Sequence, residues 1–169
     1  RLSTGETTDH EDEDSGNIYI AGGTLTVTTT GAATKGIKSQ GDMKISDGTL
    51  NVTTTGNGAY DSDEKDAKGC GALKSDGNMT ISGGTLTLKS TGTGGKCIKA
   101  DGTLTVTGGT ITATTTGTKY TYSSKVTASP KAIKSDGAMT ISGGTIVATS
   151  SNHEGIESKS TLTVTGGNI

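Results

Sequence analysis

Short runs in which every second residue is apolar recur along the whole chain. "TLTVTTT" (24–30) alternates Thr with Leu25 and Val27, and "NMTIS" (78–82) alternates Met79 and Ile81 with polar residues. "AIKS" (132–135) places Ile133 and Ser135 on one side. A period of two over so few residues predicts short, half-buried strands. Turn signals close each run, as at Asp76-Gly77 and Gly83-Gly84.

The runs repeat at a fixed step. A Gly-Gly-like pair followed by Thr or Asn and then Leu or Ile stands at 22–25, 47–50, 83–86, 108–111, 143–146 and 166–169, with Asp47 replacing the first Gly once. The steps between pairs are 25, 36, 25, 35 and 23 residues. A second anchor at Ile37, Leu73, Ile98, Ile133 and Ile156 shows the same alternation of long and short. One unit therefore has 23–25 residues, and two units carry about ten more. Three short strands per unit, stacked at ~4.8 Å, predict an all-β right-handed parallel β-helix over 17–169. Hexapeptide repeats, which mark the left-handed form, and nonapeptide calcium repeats are both missing.

Stacking puts like residues in columns. The predicted core columns are Ile18/Met43/Met79/Leu104/Met139/Leu162, Ile20/Ile45/Ile81/Val106/Ile141/Val164, Leu25/Leu50/Leu86/Ile111/Ile146 and Val27/Val52/Leu88/Ala113/Ala148. Each buried side chain contributes ~1.5–3 kcal/mol, so stability adds up along the stack. Composition agrees with many thin core layers. There is no Trp or Phe, there are 28 Gly, and only 28% of residues are hydrophobic. Residues 1–16, with the acidic run "DHEDED" (9–14), read as an irregular lead-in, and the chain reads as a segment of a longer protein with flanking parts.

Charge narrows the partners. The net charge is −2 and Arg1 is the single arginine, so no basic stripe suits a nucleic acid. No apolar run is long enough to cross a membrane as a helix. The charges that remain are patterned. Lys74/Asp76, Lys99/Asp101 and Lys134/Asp136 repeat with one residue between them, whereas the last unit inverts the order to Glu157/Lys159. Columns of like charge at ~5 Å repel, and an inverted last unit sets Glu157 beside Lys134 and Lys159 beside Asp136. Ladder electrostatics explains the pattern; a cation or acid–base site at Asp76, Asp101 and Asp136 is the functional alternative.

The two long units break the pattern in corresponding places, at "NGAYDSDEKDAKGC" (57–70) and "TKYTYSSKVTASP" (118–130). Loops on a rigid scaffold are where function concentrates. Tyr60 and Tyr120 fall at nearly equivalent positions, and with Tyr122, Lys119 and Lys125 they form the expected carbohydrate-contacting edge. Docking of the loops by the tyrosines is the structural alternative. Asp61, Asp63, Glu64 and Asp66 are closely spaced oxygen donors of the kind calcium uses, though they do not follow an EF-hand pattern. His10 and His153 stand alone. Cys70 and Cys97 enter the same strand of adjacent units two positions out of step. An undistorted ladder would hold their Cα atoms ~8 Å apart, too far to bridge, but the insertion before Cys70 could close that gap. A disulfide would suit an exported protein.

"GIKSQGDMKISDGTLNVTTTG" (36–56), "ALKSDGNMTISGGTLTLKSTG" (72–92) and "GIESKSTLTVTGGNI" (155–169) together resemble bacterial secreted carbohydrate-binding β-helix domains. The resemblance covers residues 17–169. It implies a polysaccharide lyase-like right-handed β-helix that is secreted or held at the cell surface. It also implies a polysaccharide partner, cellulose or an acidic plant cell-wall glycan such as pectin, often with calcium. Binding without cleavage is the expectation. A lyase would need Lys99 or Lys134 as base, and a hydrolase would need paired carboxylates with separated pKa values. Two other readings are a spacer without ligand and an ice-binding face built on the columns Thr24/Thr49/Thr85/Thr110/Thr145 and Thr26/Asn51/Thr87/Thr112.

Overall fold

The computed structural model describes residues 2–3 and 16–169. The acidic run at 9–14, with His10, lies outside the described residues. Among those described, the regular elements are strands, mostly in parallel pairs, and none is a helix. The all-β expectation is met.

Each repeat supplies a strand to each of three parallel ladders. The first ladder joins Lys35–Ser39, Gly71–Ser75, Lys96–Ala100, Lys131–Ser135 and Ile156–Ser158, with Leu2–Ser3 at its edge. The second begins at Ile18 and runs Met43, Met79, Leu104, Met139, Leu162 in direct register. The third aligns Leu25, Leu50, Leu86, Ile111 and Ile146. These last two belong to one sheet, because Ile18–Thr29 and Met43–Thr54 pass through both without a break.

The bend between the second and third ladders explains the repeated glycine pair. Its second glycine is left-handed in every repeat, with φ between 79° at Gly23 and 104° at Gly48. A side chain is strained there. The first position is crowded instead, since a Cβ on Gly83 would lie 2.2 Å from the Ser46 carbonyl oxygen, and Asp47 takes that place where the ladder shifts register opposite Ala21. A further corner needs glycine for space alone. Gly31, Gly56, Gly92 and Gly117 sit one above the next, and a Cβ on Gly92 would lie 1.8 Å from the Gly56 carbonyl oxygen.

All four predicted core columns form in register. Met43, Ile45, Leu50, Met79, Ile81, Leu86, Leu104 and Ile111 are wholly buried, whereas Leu162 and Val164 of the last rung are exposed. The first ladder departs from strict alternation. Ala72, Cys97 and Ala132 are buried beside Leu73, Ile98 and Ile133, so two successive residues face inward. Small residues fit there; in the first strand of this ladder, a Cβ on Gly36 would meet Val52 Cγ1 at 2.4 Å. The lysines three residues apart on either side then share the outer face.

Candidate functional site

The outer face of the first ladder carries three columns of side chains. Lys35, Gly71, Lys96 and Lys131 are in register; beside them stand Lys38, Lys74, Lys99, Lys134 and Glu157. Asp76, Asp101, Asp136 and Lys159 follow at the strand ends.

Ion pairs knit the last two columns together. Lys38 reaches Asp76 at 3.0 Å, because its own repeat has Gln40 where the others have Asp. Lys74 holds Asp76 and Asp101, each at 2.5 Å. Lys99 pairs with Asp101 and, at 3.1 Å, with Asp136. Lys134 lies 3.5 Å from Asp136 and 3.3 Å from Glu157, and Lys159 lies 3.1 Å from Asp136. Both contacts expected of the inverted last unit are present. Glu157 does more than sequence suggested, since it also pairs with Lys131, which holds Glu154 at 2.5 Å.

The carboxylates respond to this setting. Burial pushes the Asp136 carboxyl up, but hydrogen bonds from Lys99 and Lys159 and the charges of Lys99 and Lys134 outweigh it and bring it down to about 2. Asp76, Asp101 and Glu157 are lowered by the same balance, burial against lysine contacts. Asp76, Asp101 and Asp136 are thus members of a charge ladder. Lys99 is raised, its aspartate partners overcoming burial.

The inner lysine column was missed in the sequence, although its signal was there: "KGIK", "KCIK" and "KAIK" place a lysine three residues before each ladder lysine. Lys35 Nζ donates to the carbonyls of Ala33 at 2.6 Å and Gly69 at 2.7 Å. Lys96 Nζ donates to the Gly94 carbonyl at 3.2 Å. Burial, with some help from neighbouring lysines, lowers Lys35 to about 8 and Lys96 to about 7.

A groove of about 980 Å³ runs over this face. Its floor is the lysine and aspartate columns; its wall is built by Asp61, Glu64, Asp66, Lys68 and the segment Thr127–Ser129. Both insertions form short antiparallel hairpins, Ala59–Asp61 with Asp66–Lys68 and Tyr120–Thr121 with Thr127–Ala128. Lys65 closes the first in a left-handed turn, at φ 52°.

The hairpins join through tyrosines in a pairing that sequence did not anticipate. Tyr60 stacks on Tyr122, with ring centroids 3.8 Å apart and planes 8° from parallel. Tyr120, the expected counterpart of Tyr60, packs against Gly58, where a Cβ would meet its ring at 2.7 Å. None of Tyr60, Tyr120, Tyr122, Lys119 and Lys125 lines the groove. The tyrosines dock the two hairpins, and other residues of those hairpins face the groove.

The acidic hairpin turn does not assemble a calcium cage. Asp61 Oδ1 accepts from the backbone N–H groups of Asp63 and Glu64, at 3.0 and 3.1 Å, which lowers its carboxyl. Glu64 and Asp66 both pair with Lys68. Among the described residues, no three His, Cys, Asp or Glu side chains are grouped to hold a metal ion. The disulfide that the sequence left open is not formed: Cys70 and Cys97 are both free and buried. Cys70 Sγ faces the Gly31 carbonyl at 3.4 Å, whereas Cys97 Sγ turns inward to the carbonyls of Leu88 and Thr114. His153 contacts Glu154 and lies 3.1 Å from Lys131.

On the third ladder the threonine columns are in the expected register, with Val147 continuing the second column beyond Thr112.

A family model described as carbohydrate-binding domain-containing protein matches residues 4–94 and 92–169. No curated protein and no solved structure matches the chain.

Proposed function

The chain belongs to the carbohydrate-binding domain-containing protein family, and from that premise we propose that it binds an acidic polysaccharide, without cleaving it, in the groove over the first ladder. One observation carries the reading. The groove is long, open and floored by alternating ammonium and carboxylate groups held in fixed register. Sugars offer hydroxyls that both donate and accept, and such a floor answers both; an acidic sugar adds charge complementarity to the lysines. A right-handed parallel β-helix is the architecture that best accounts for three ladders fed in turn by each repeat. An exported or cell-surface setting fits a partner of this kind.

The state of the acids supports binding without cleavage. A glycoside hydrolase needs one carboxyl held protonated near neutral pH, whereas Asp76, Asp101 and Asp136 are all pushed the other way. Lys99 and Lys134, the bases a lyase would have required, are tied to aspartates. Elimination is the second reading, and Lys96 favours it: an amine lowered to about 7 is partly unprotonated at neutral pH.

The test is binding of the chain to cellulose, polygalacturonate and a neutral galactan, with calcium and with chelator, while unsaturated product is followed by absorbance. Binding to polygalacturonate with no product, equal with and without chelator, is the expected result. Accumulating product would replace the binder with a lyase. Binding that chelator abolishes would mean that a cation takes part, with Asp61, Asp63, Glu64 and Asp66 the first residues to test.

A further inference from the structure

Four of the five outward positions in the middle column of the first ladder are lysines, and each is paired with a carboxylate. The inner column differs. Lys131 has Glu154 and Glu157, but Lys35 and Lys96 have no carboxylate within ion-pair distance among the described residues. Their ammonium groups meet backbone carbonyls only, on the floor of a groove where half-burial makes an unneutralised charge costly. Between them, in register, stands Gly71. The Lys35 and Lys96 backbones are two strand spacings, about 10 Å, apart, and the stem of Lys35 leans over the bare Gly71 backbone: a Cβ there would meet Lys35 Cδ at 3.1 Å.

We propose that Lys35 and Lys96, on either side of Gly71, form an anion subsite that takes the carboxylate or sulfate substituent of a glycan and so selects acidic chains over neutral ones. The inference rests on the polysaccharide-binding reading and adds to it the residues that choose the ligand. Lys96 keeps two N–H donors beyond its bond to Gly94, and Lys35 keeps one. An oxyanion with several acceptor oxygens fits between such donors. At the last rung the protein supplies that anion itself, as Glu157 against Lys131; at Lys35 and Lys96 the ligand supplies it. The lowering of Lys96 to about 7, by burial and by Lys134, Lys99, Lys35 and Lys131, is what an amine lacking its counter-ion shows.

The experiment compares the full chain with Lys35→Met, Lys96→Met, the double variant and Gly71→Ala. Lys44→Met/Lys89→Met serves as control, since both lysines are exposed and outside the groove. Methionine keeps much of the stem and removes the charge; alanine at 71 keeps both charges and displaces the Lys35 stem that leans over it. Polygalacturonate, dextran sulfate and carboxyl-reduced polygalacturonate are the probes. Each lysine lost should weaken binding of a polyanion about tenfold, with the reduced polymer unaffected and the control pair close to wild type. Gly71→Ala should weaken the same polyanion. Whichever polyanion responds identifies carboxylate or sulfate as the source. Equal losses in the control pair and the Lys35/Lys96 pair would overturn the subsite in favour of diffuse attraction.

A second arm needs no polymer. Side-chain NMR signals of the lysines are followed during titration with galacturonate and with inorganic sulfate. Saturable shifts at Lys35 and Lys96, absent at Lys44 and Lys89, support the subsite even if no polysaccharide binds and the broader reading falls. Uniform small shifts at all four lysines overturn it even if the polysaccharide panel succeeds.

Discussion

The ammonium of Lys99 lies 3.1 Å from the carboxylate of Asp136, which belongs to the following repeat. That contact converts a local pair, Lys99 with Asp101, into a cross-rung link. Repeated at Lys38, Lys74 and Lys134, it ties neighbouring strands by charge as well as by backbone hydrogen bonds. Like charges are stacked in the columns, yet each carboxylate has two or more lysines around it.

Acid should dismantle this arrangement. Asp76, Asp101, Asp136 and Glu157 all hold their protons less tightly when folded than their ordinary values imply. A depressed carboxylate contributes stability above its unfolded pKa and loses that contribution as pH falls through its folded one. For Asp136 the window runs from 3.8 down to about 2. Urea midpoints should therefore fall as pH drops below 4, and Asp136→Asn should flatten the drop. An unchanged acid limb in the variant would mean the ladder is too screened to matter.

The inverted last unit is a point of sensitivity. Glu157→Lys would place a third ammonium beside Lys131 and Lys134, both of which are buried. Loss of about 3 kcal/mol is expected, measured by urea unfolding, with Glu157→Gln losing less. Restoring the regular Lys-x-Asp order with Glu157→Lys/Lys159→Asp should recover only part, because Lys131 would still lack Glu157.

Much of this was legible in the sequence for a physical reason. In a stacked ladder a residue's neighbours are its equivalents in adjacent repeats, so aligning the repeats reveals the contacts. Met43 over Met79 and Lys134 beside Glu157 follow from counting alone. The hairpins have no such rule. Tyr60 and Tyr120 are equivalent by count, but Tyr60 meets Tyr122, because the second hairpin pairs its own strands independently of the ladder. The inner lysines escaped for a different reason. Gly71 interrupts their column, and the departure from strict alternation at Gly36, Ala72, Cys97 and Ala132 puts them on the outer face together with Lys38, Lys74, Lys99 and Lys134.

Both thiols should survive in the native protein. Burial raises Cys97 to about 12, which withholds the reactive thiolate at neutral pH. A thiol reagent added under native conditions should leave Cys97 unmodified by intact-mass analysis, and dithiothreitol should not move the melting temperature. A drop in melting temperature on reduction would restore the disulfide that the sequence spacing left open.

Stacking of Tyr60 on Tyr122 should appear as a coupling between the two hairpins. Tyr122 is 57% exposed, so its replacement costs little core burial. The cycle of Tyr60→Leu, Tyr122→Leu and the double variant should give about 0.5–1.5 kcal/mol of interaction. Additive effects would show that the hairpins are held by Tyr120 against Gly58 without help from the stack.

Lys96 makes an alkaline prediction with the same sign of slope as the acid limb, stability rising with pH. Its folded pKa is about 7 against an ordinary 10.5, so above neutrality the unfolded chain binds a proton that the folded chain has released. Stability rises with pH wherever the unfolded state binds more protons, and it should rise here between pH 7 and the ordinary lysine value. Lys35, lowered to about 8, adds to the same limb at slightly higher pH. Lysines raised by their partners, such as Lys99, oppose it only near and above 10.5. The urea midpoint at pH 9 should accordingly exceed that at pH 7, and Lys96→Met should remove much of the difference while raising the midpoint at pH 7. A bound polyanion should also remove it, by keeping Lys96 charged in the folded state. A flat profile in the free protein would show that Lys96 is better solvated than its place on the groove floor suggests.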